Sequence, residues 1–151
     1  MSVVTIFAGL CAFLSASTVG LWIKKRCNRK ANFYDGYYEY LQYCTDKISY
    51  ERMPIGELNS SYFKKNKGEF VLFLDNKQEN LPLSEETLSE IREYLSGIGT
   101  TDAETQVASL RSKCAEMKRF TETECVKFRK DGALYFKLSA LIGAVLFIIL
   151  V

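Results

Sequence analysis

Charge stops abruptly near both ends of this chain. All 20 Lys and Arg and all 18 Asp and Glu lie between Lys24 and Lys137. Before them Val3 to Ile23 runs for 21 residues without a charge, and after them Leu138 to Val151 runs for 14. As a helix the first stretch is about 31 Å long, the thickness of a bilayer's hydrocarbon core. The second alone covers only about 21 Å. Extended back to Ala133 it reaches 19 residues, with Lys137 one turn inside, where a lysine can snorkel to the headgroups beside Tyr135 and Phe136. The pattern predicts transmembrane helices at residues 1–23 and 133–151 and a helical domain of residues 24–132 between them.

The flanking charges orient these spans. A secretory signal peptide carries its basic residues ahead of the apolar stretch. Here nothing basic precedes Val3, whereas Lys24, Lys25, Arg26, Arg29 and Lys30 follow Ile23. Lys127, Arg129, Lys130 and Lys137 make a second basic collar, broken only by Asp131. Because basic residues stay on the cytoplasmic side, both termini are expected outside the cell membrane and the domain inside, with Trp22 as an interfacial anchor. The chain is then expected to end at the far face of the membrane without a tail.

Removing both collars leaves residues 31–126, with 11 basic and 17 acidic residues and a net charge of −6. The basic balance therefore belongs to the membrane edges and not to a nucleic-acid face. Five widely spaced cysteines with no C-x-x-C pair, and no histidine, point away from disulfide stapling and zinc. Thiols packed in a reducing cytosol fit better.

Within the domain the apolar spacing is helical, and the expected fold class is all-α: a small cytoplasmic helical bundle between the two transmembrane helices. Phe33, Tyr37, Tyr40, Leu41, Cys44 and Ile48 share one face of a helix over about 32–52, with Asp35, Glu39 and Asp46 opposite. Its many tyrosines read as a core stripe and not as a ligand cage. Pro54 and Gly56 turn a corner into a short helix over 55–63, and 64–68 reads as an exposed turn. Phe70 to Leu74 suits a strand by composition or one helical turn by length; a lone strand would lack a partner, which favours helix. Ser84 caps a helix with Leu88, Ile91, Leu95 and Ile98 on one face, stopped by Gly97 and Gly99. Thr101 and Glu104 form a capping box for a helix from Asp102, whose stripe of Val107, Leu110, Cys114, Met117, Thr121, Cys125 and Phe128 continues toward the membrane as one rod. That rod is expected to pack antiparallel on the 33–48 helix.

Chemistry is sparse. The chain has no phosphate loop, dinucleotide fingerprint or nucleophile elbow, and lacks the commonest general base. Glu85 and Glu86 are explained by the dipole of the helix they begin. No enzyme activity, cofactor, small-molecule substrate or nucleic-acid partner is expected.

Two short motifs and the two anchors carry a resemblance. Ile48, Tyr50, Pro54 and Ile55, followed by Glu57 and Leu58, read as I-x-Y-x-x-x-P-[IL]. Ile98, Gly99, Asp102 and Gln106 read as [LI]-G-x-x-D-x-x-x-Q, and Leu138 to Val151 ends the chain with Gly143 in place. In this order they resemble the stage III sporulation protein AB family, whose cytoplasmic domain is similar to that of the platform proteins of type II secretion and type IV pilus machines. Lys47 stands where the family tends to have an acid, and 64–83 is shorter than usual. The resemblance implies a non-enzymatic platform in the mother cell–forespore channel complex, in the mother-cell membrane around the forespore. Its partners would be a stage III sporulation protein AA-type ATPase, other membrane components of the channel, and membrane lipid. It nominates Pro54, Ile55, Glu57, Leu58, Asp102 and Gln106 as partner-binding residues, against the plainer reading that Pro54, Gly99, Asp102 and Gln106 serve turns and caps. The rival function is a membrane-anchored assembly or signalling adaptor without a secretion ATPase.

Overall fold

The computed structural model describes residues 3–51, 54–76 and 81–150. Its order is α1 (Val3–Glu51), α2 (Ile55–Lys65), α3 (Glu69–Leu74), α4 (Glu85–Ser96), α5 (Ala103–Phe120), a π-helical turn (Thr121–Cys125) and α6 (Val126–Leu150). No strand occurs among the described residues, and the fold is all-α. Two compact units emerge: residues 1–29 with 126–151, and residues 30–125.

The first unit is a pair of helices. Both are long and apolar enough to cross a membrane, and only 11% and 6% of their apolar windows are buried within the structure. A core helix of a soluble protein would hide that surface; here Phe7, Val19, Leu141 and Ile148 lie bare. Small residues let the helices approach closely. A Cβ on Gly143 would sit 3.1 Å from the Ala16 Cβ, and one on Gly132 3.0 Å from the Cys27 Cβ; one on Gly20 would run into the Ser139 side chain. Low numbers meet high ones, so the pair is antiparallel, joined by van der Waals packing of the small-residue kind.

The second unit holds the core. From α1 come Phe33, Tyr37, Tyr40, Leu41, Cys44 and Ile48, all buried as the spacing requires. Tyr34 stacks on Phe120 at 4.6 Å between centroids and Thr45 Oγ1 meets Cys114 Sγ at 3.7 Å, so α5 lies antiparallel on this part of α1. The short α3 settles the ambiguous 70–74 segment: Phe70 and Phe73 are buried and Leu72 is exposed, a period of three and not two. Phe70 is the hub of the aromatic core, with Phe33, Tyr37 and Tyr40 rings at 5.4, 5.3 and 5.5 Å. Such a side chain is worth about 3–5 kcal/mol on truncation to alanine. Two tyrosines of α1 are core, as Tyr37 and Tyr40 are 2% and 3% exposed, and Tyr40 Oη donates to Asn59 Oδ1 at 2.6 Å; Tyr34, Tyr38 and Tyr43 pack partly buried against that core, and Tyr50 is exposed.

Three local expectations change. The helix expected over 32–52 is one element with the preceding span, because 24–31 contains neither Pro nor Gly to end a helix. The expected uninterrupted rod carries the π turn at Thr121–Cys125. The stripe steps by four twice, from Met117 to Thr121 to Cys125, overshooting the α-helical period by about 80°. A wider turn absorbs that excess and leaves Cys125 fully buried. Finally, the cap of α5 is Asp102, whose carboxylate accepts the Thr105 N–H at 3.0 Å. Thr101 instead gives its hydroxyl to Gln106 Oε1 at 3.1 Å. The capping pair is therefore offset by one residue from Thr101 and Glu104.

Candidate partner-binding site

Two stretches far apart in sequence meet at one groove of the second unit. Pro54 begins the first. Its fixed φ of −62° presets the entry to α2, and its carbonyl accepts the N–H of Glu57 at 3.1 Å and of Leu58 at 3.0 Å. Leu58 is fully buried and fastens α2 to the core, while Glu57 stands exposed in the first turn, where the helix dipole favours a carboxylate.

The second stretch is the tight connection from α4 to α5. Gly99 has φ +91°, in the region that costs an L side chain about 1–2 kcal/mol. A Cβ there would also collide with the Ile55 side chain. Gln106 reaches back from the first turn of α5: its Oε1 accepts the Gly99 N–H at 2.8 Å and the Thr101 hydroxyl. At 6% exposure this amide is a clamp that pays the hydrogen-bonding debt of the turn. Asp102 lies exposed beside it, and the Thr105 N–H holds its carboxyl below the usual carboxylate value.

Ile48, Pro54, Ile55, Gly99, Thr101, Ala103 and Gln106 line an open groove of about 600 Å³. Of the residues nominated from sequence, Pro54, Ile55 and Gln106 share it. Asp102 sits between two lining residues, Glu57 lies just beyond Ile55 on α2, and Leu58 faces the interior. Leu58 and Gln106 can shape the surface but not project from it. Thr101 and Ala103 were missed, since only the fold brings them beside Ile55; Ile48 and Gly99 already stood in the two motifs.

Among the described residues no Asp, Glu, Cys, Lys or Arg lines this groove, and its hydroxyl and amide are engaged with each other. Among the described residues no group of three or more Cys, Asp or Glu could hold a metal ion. Elsewhere in the unit burial pushes the Cys44 thiol up to about 12, and Tyr40 beyond its ordinary value. The groove is suited to receiving an apolar side chain.

The family model of stage III sporulation protein AB matches residues 73–151, more than half of the 151-residue chain. The chain belongs to the stage III sporulation protein AB family. Neither a curated protein nor a solved structure matches it significantly. Membership assigns a role at stage III of sporulation, in a family of sporulation structural components. The matched region takes in the Gly99 turn, Asp102, Gln106 and all of α6; the Pro54 corner lies outside it.

Proposed function

We propose that this family member is a platform in the channel complex between mother cell and forespore, coupling a stage III sporulation protein AA-type ATPase to membrane partners. The observation that carries the reading is the groove at the Pro54 corner, lined among the described residues mainly by apolar side chains, on a module with no nucleotide motif. The apolar span pair anchors the protein in the mother-cell membrane. On this reading the module is cytoplasmic and the Val3 and Leu150 ends lie outside, which the basic runs flanking both spans support. There the ATPase docks against Pro54, Ile55 and the exposed Glu57. Asp102 adds charge at the rim, and Leu58 and Gln106 hold the shape. The net acidic module complements a basic partner surface.

The test is a titration of the full chain in nanodiscs against the purified ATPase, with circular dichroism as the folding control. A rim charge mainly tunes encounter rate and salt dependence. Glu57→Lys is therefore expected to weaken binding at low salt with unchanged helical content. Absence of association at every salt concentration removes the platform mechanism and leaves an adaptor without a secretion ATPase. Normal binding by Glu57→Lys removes the proposed location.

A further inference from the structure

The charge of the chain divides along its two compact units. The helix pair of residues 1–29 and 126–151 carries eight Lys and Arg against one acid, a net +7, whereas residues 30–125 carry a net −5. Seven of the eight cations fall in two runs, 24–29 and 127–130. These runs lie side by side, because Gly132 packs against Lys24 and Cys27. Lys25, Arg26, Lys127 and Lys130 are exposed.

Aromatic rings hold two of the cations beside the apolar spans. The Arg26 guanidinium lies 5.5 Å from the Trp22 ring centroid, and Lys24 Nζ lies 5.4 Å from that of Phe136. The same end exposes large apolar surface on both helices, with Trp22 60% and Leu134 53% exposed. A soluble polyanion would satisfy the cations and leave that surface wet. A ligand that meets both needs carries a negative headgroup on an apolar chain.

We infer that this end of the helix pair selects anionic phospholipids over zwitterionic ones, seating the headgroup among the 24–29 and 127–130 cations with the acyl chains along α1 and α6. The inference rests on the membrane reading and is independent of any ATPase. Juxtamembrane clusters of four to eight Lys and Arg have the charge density that anionic leaflets recognise. Each cation within a Debye length of the headgroup favours the charged lipid about fivefold.

Trp22 is the single tryptophan of the chain and reports on its own lipid neighbours. The full chain is reconstituted in nanodiscs with phosphatidylglycerol or phosphatidylcholine brominated at the same acyl carbon, and quenching of Trp22 gives the relative lipid affinity. At low salt phosphatidylglycerol is expected to be preferred by roughly fivefold or more. The preference should shrink with added salt, and should fall by half or more in Lys25→Gln/Lys127→Gln/Lys130→Gln at unchanged helical content. Inorganic phosphate at matched ionic strength should leave it in place, since it lacks the acyl chain. Equal quenching by the two lipids at low salt, or a preference untouched in the triple variant, overturns the inference. So does abolition of the preference by a micromolar oligonucleotide, which would give the cations to a soluble polyanion. If neither lipid quenches Trp22, the inference falls together with the membrane reading.

Discussion

Gly99→Ala puts the geometry of the groove under the sharpest test. At φ +91° an alanine is strained by about 1–2 kcal/mol. Its Cβ also overlaps Ile55 Cδ1, so the isoleucine must leave its rotamer or α2 must shift. Overpacking of that kind costs about 1–3 kcal/mol. The sum, about 2–5 kcal/mol, is a large part of the roughly 5–14 kcal/mol expected for a unit of this size. Cys44 supplies the assay: it is fully buried with its thiol pushed up to about 12, so maleimide reaches a thiolate only through opening of the module. Labelling of the full chain in nanodiscs, read at the Cys44 peptide by mass spectrometry, should accelerate roughly 30- to several-thousand-fold at 1.4 kcal/mol per tenfold. Gly99→Ala/Ile55→Ala should recover the overlap part and keep the backbone part. Labelling of Gly99→Ala at the wild-type rate would show that Ile55 and the α4–α5 turn do not meet as described.

Leu41→Asp or Leu110→Asp places a charge where the structure has zero exposure, and should abolish cooperative melting of the module followed by circular dichroism, whereas the exposed Glu39→Lys should melt near the wild type. Asp102 has a folded pKa below its unfolded value, so its capping contribution is present above the unfolded pKa near 3.8 and is lost as pH falls through the lower folded one. Asp102→Asn should accordingly flatten the acid limb of a stability–pH profile below about pH 4, and an unchanged limb would discount the cap. For topology, Ser109→Cys at an exposed α5 position should escape an impermeant maleimide in intact cells and react after permeabilisation; reaction beforehand would put the module outside.

Much of this architecture was legible because burial imposes periods on sequence. The faces of Phe33 to Ile48 and of Leu88 to Ile98 follow from spacing alone, and the two spans follow from the absence of charge. Helix ends were harder. Lys24 to Ala31 is a change of composition, not of backbone, so a segment that read as a boundary runs through as helix. At 101–106 two side chains competed for the same orphan N–H groups, and the choice of Asp102 over Thr101 depends on Gln106 claiming the Thr101 hydroxyl. The π turn became visible only once Cys125 proved to be buried with Met117. For the candidate site, the motifs marked residues near the groove but could not separate those that form its surface from those that support it. Leu58 and Ile55 are three residues apart on one short helix, yet one is fully buried and the other reaches the groove beside Gly99. Ile55 is met by the α4–α5 turn at Gly99, which no local pattern around Pro54 encodes.

Site-specific photo-crosslinking in sporulating cells tests directly the proposal that a secretion-type ATPase meets the membrane anchor at the Pro54 corner. A photoreactive residue is placed at Glu57, beside the groove, and in a parallel strain at Leu72, exposed on α3. An adduct of ATPase mass is expected from position 57 during stage III and none from position 72. An adduct from position 72 alone, or silence at 57 in cells where the ATPase is present, would contradict it.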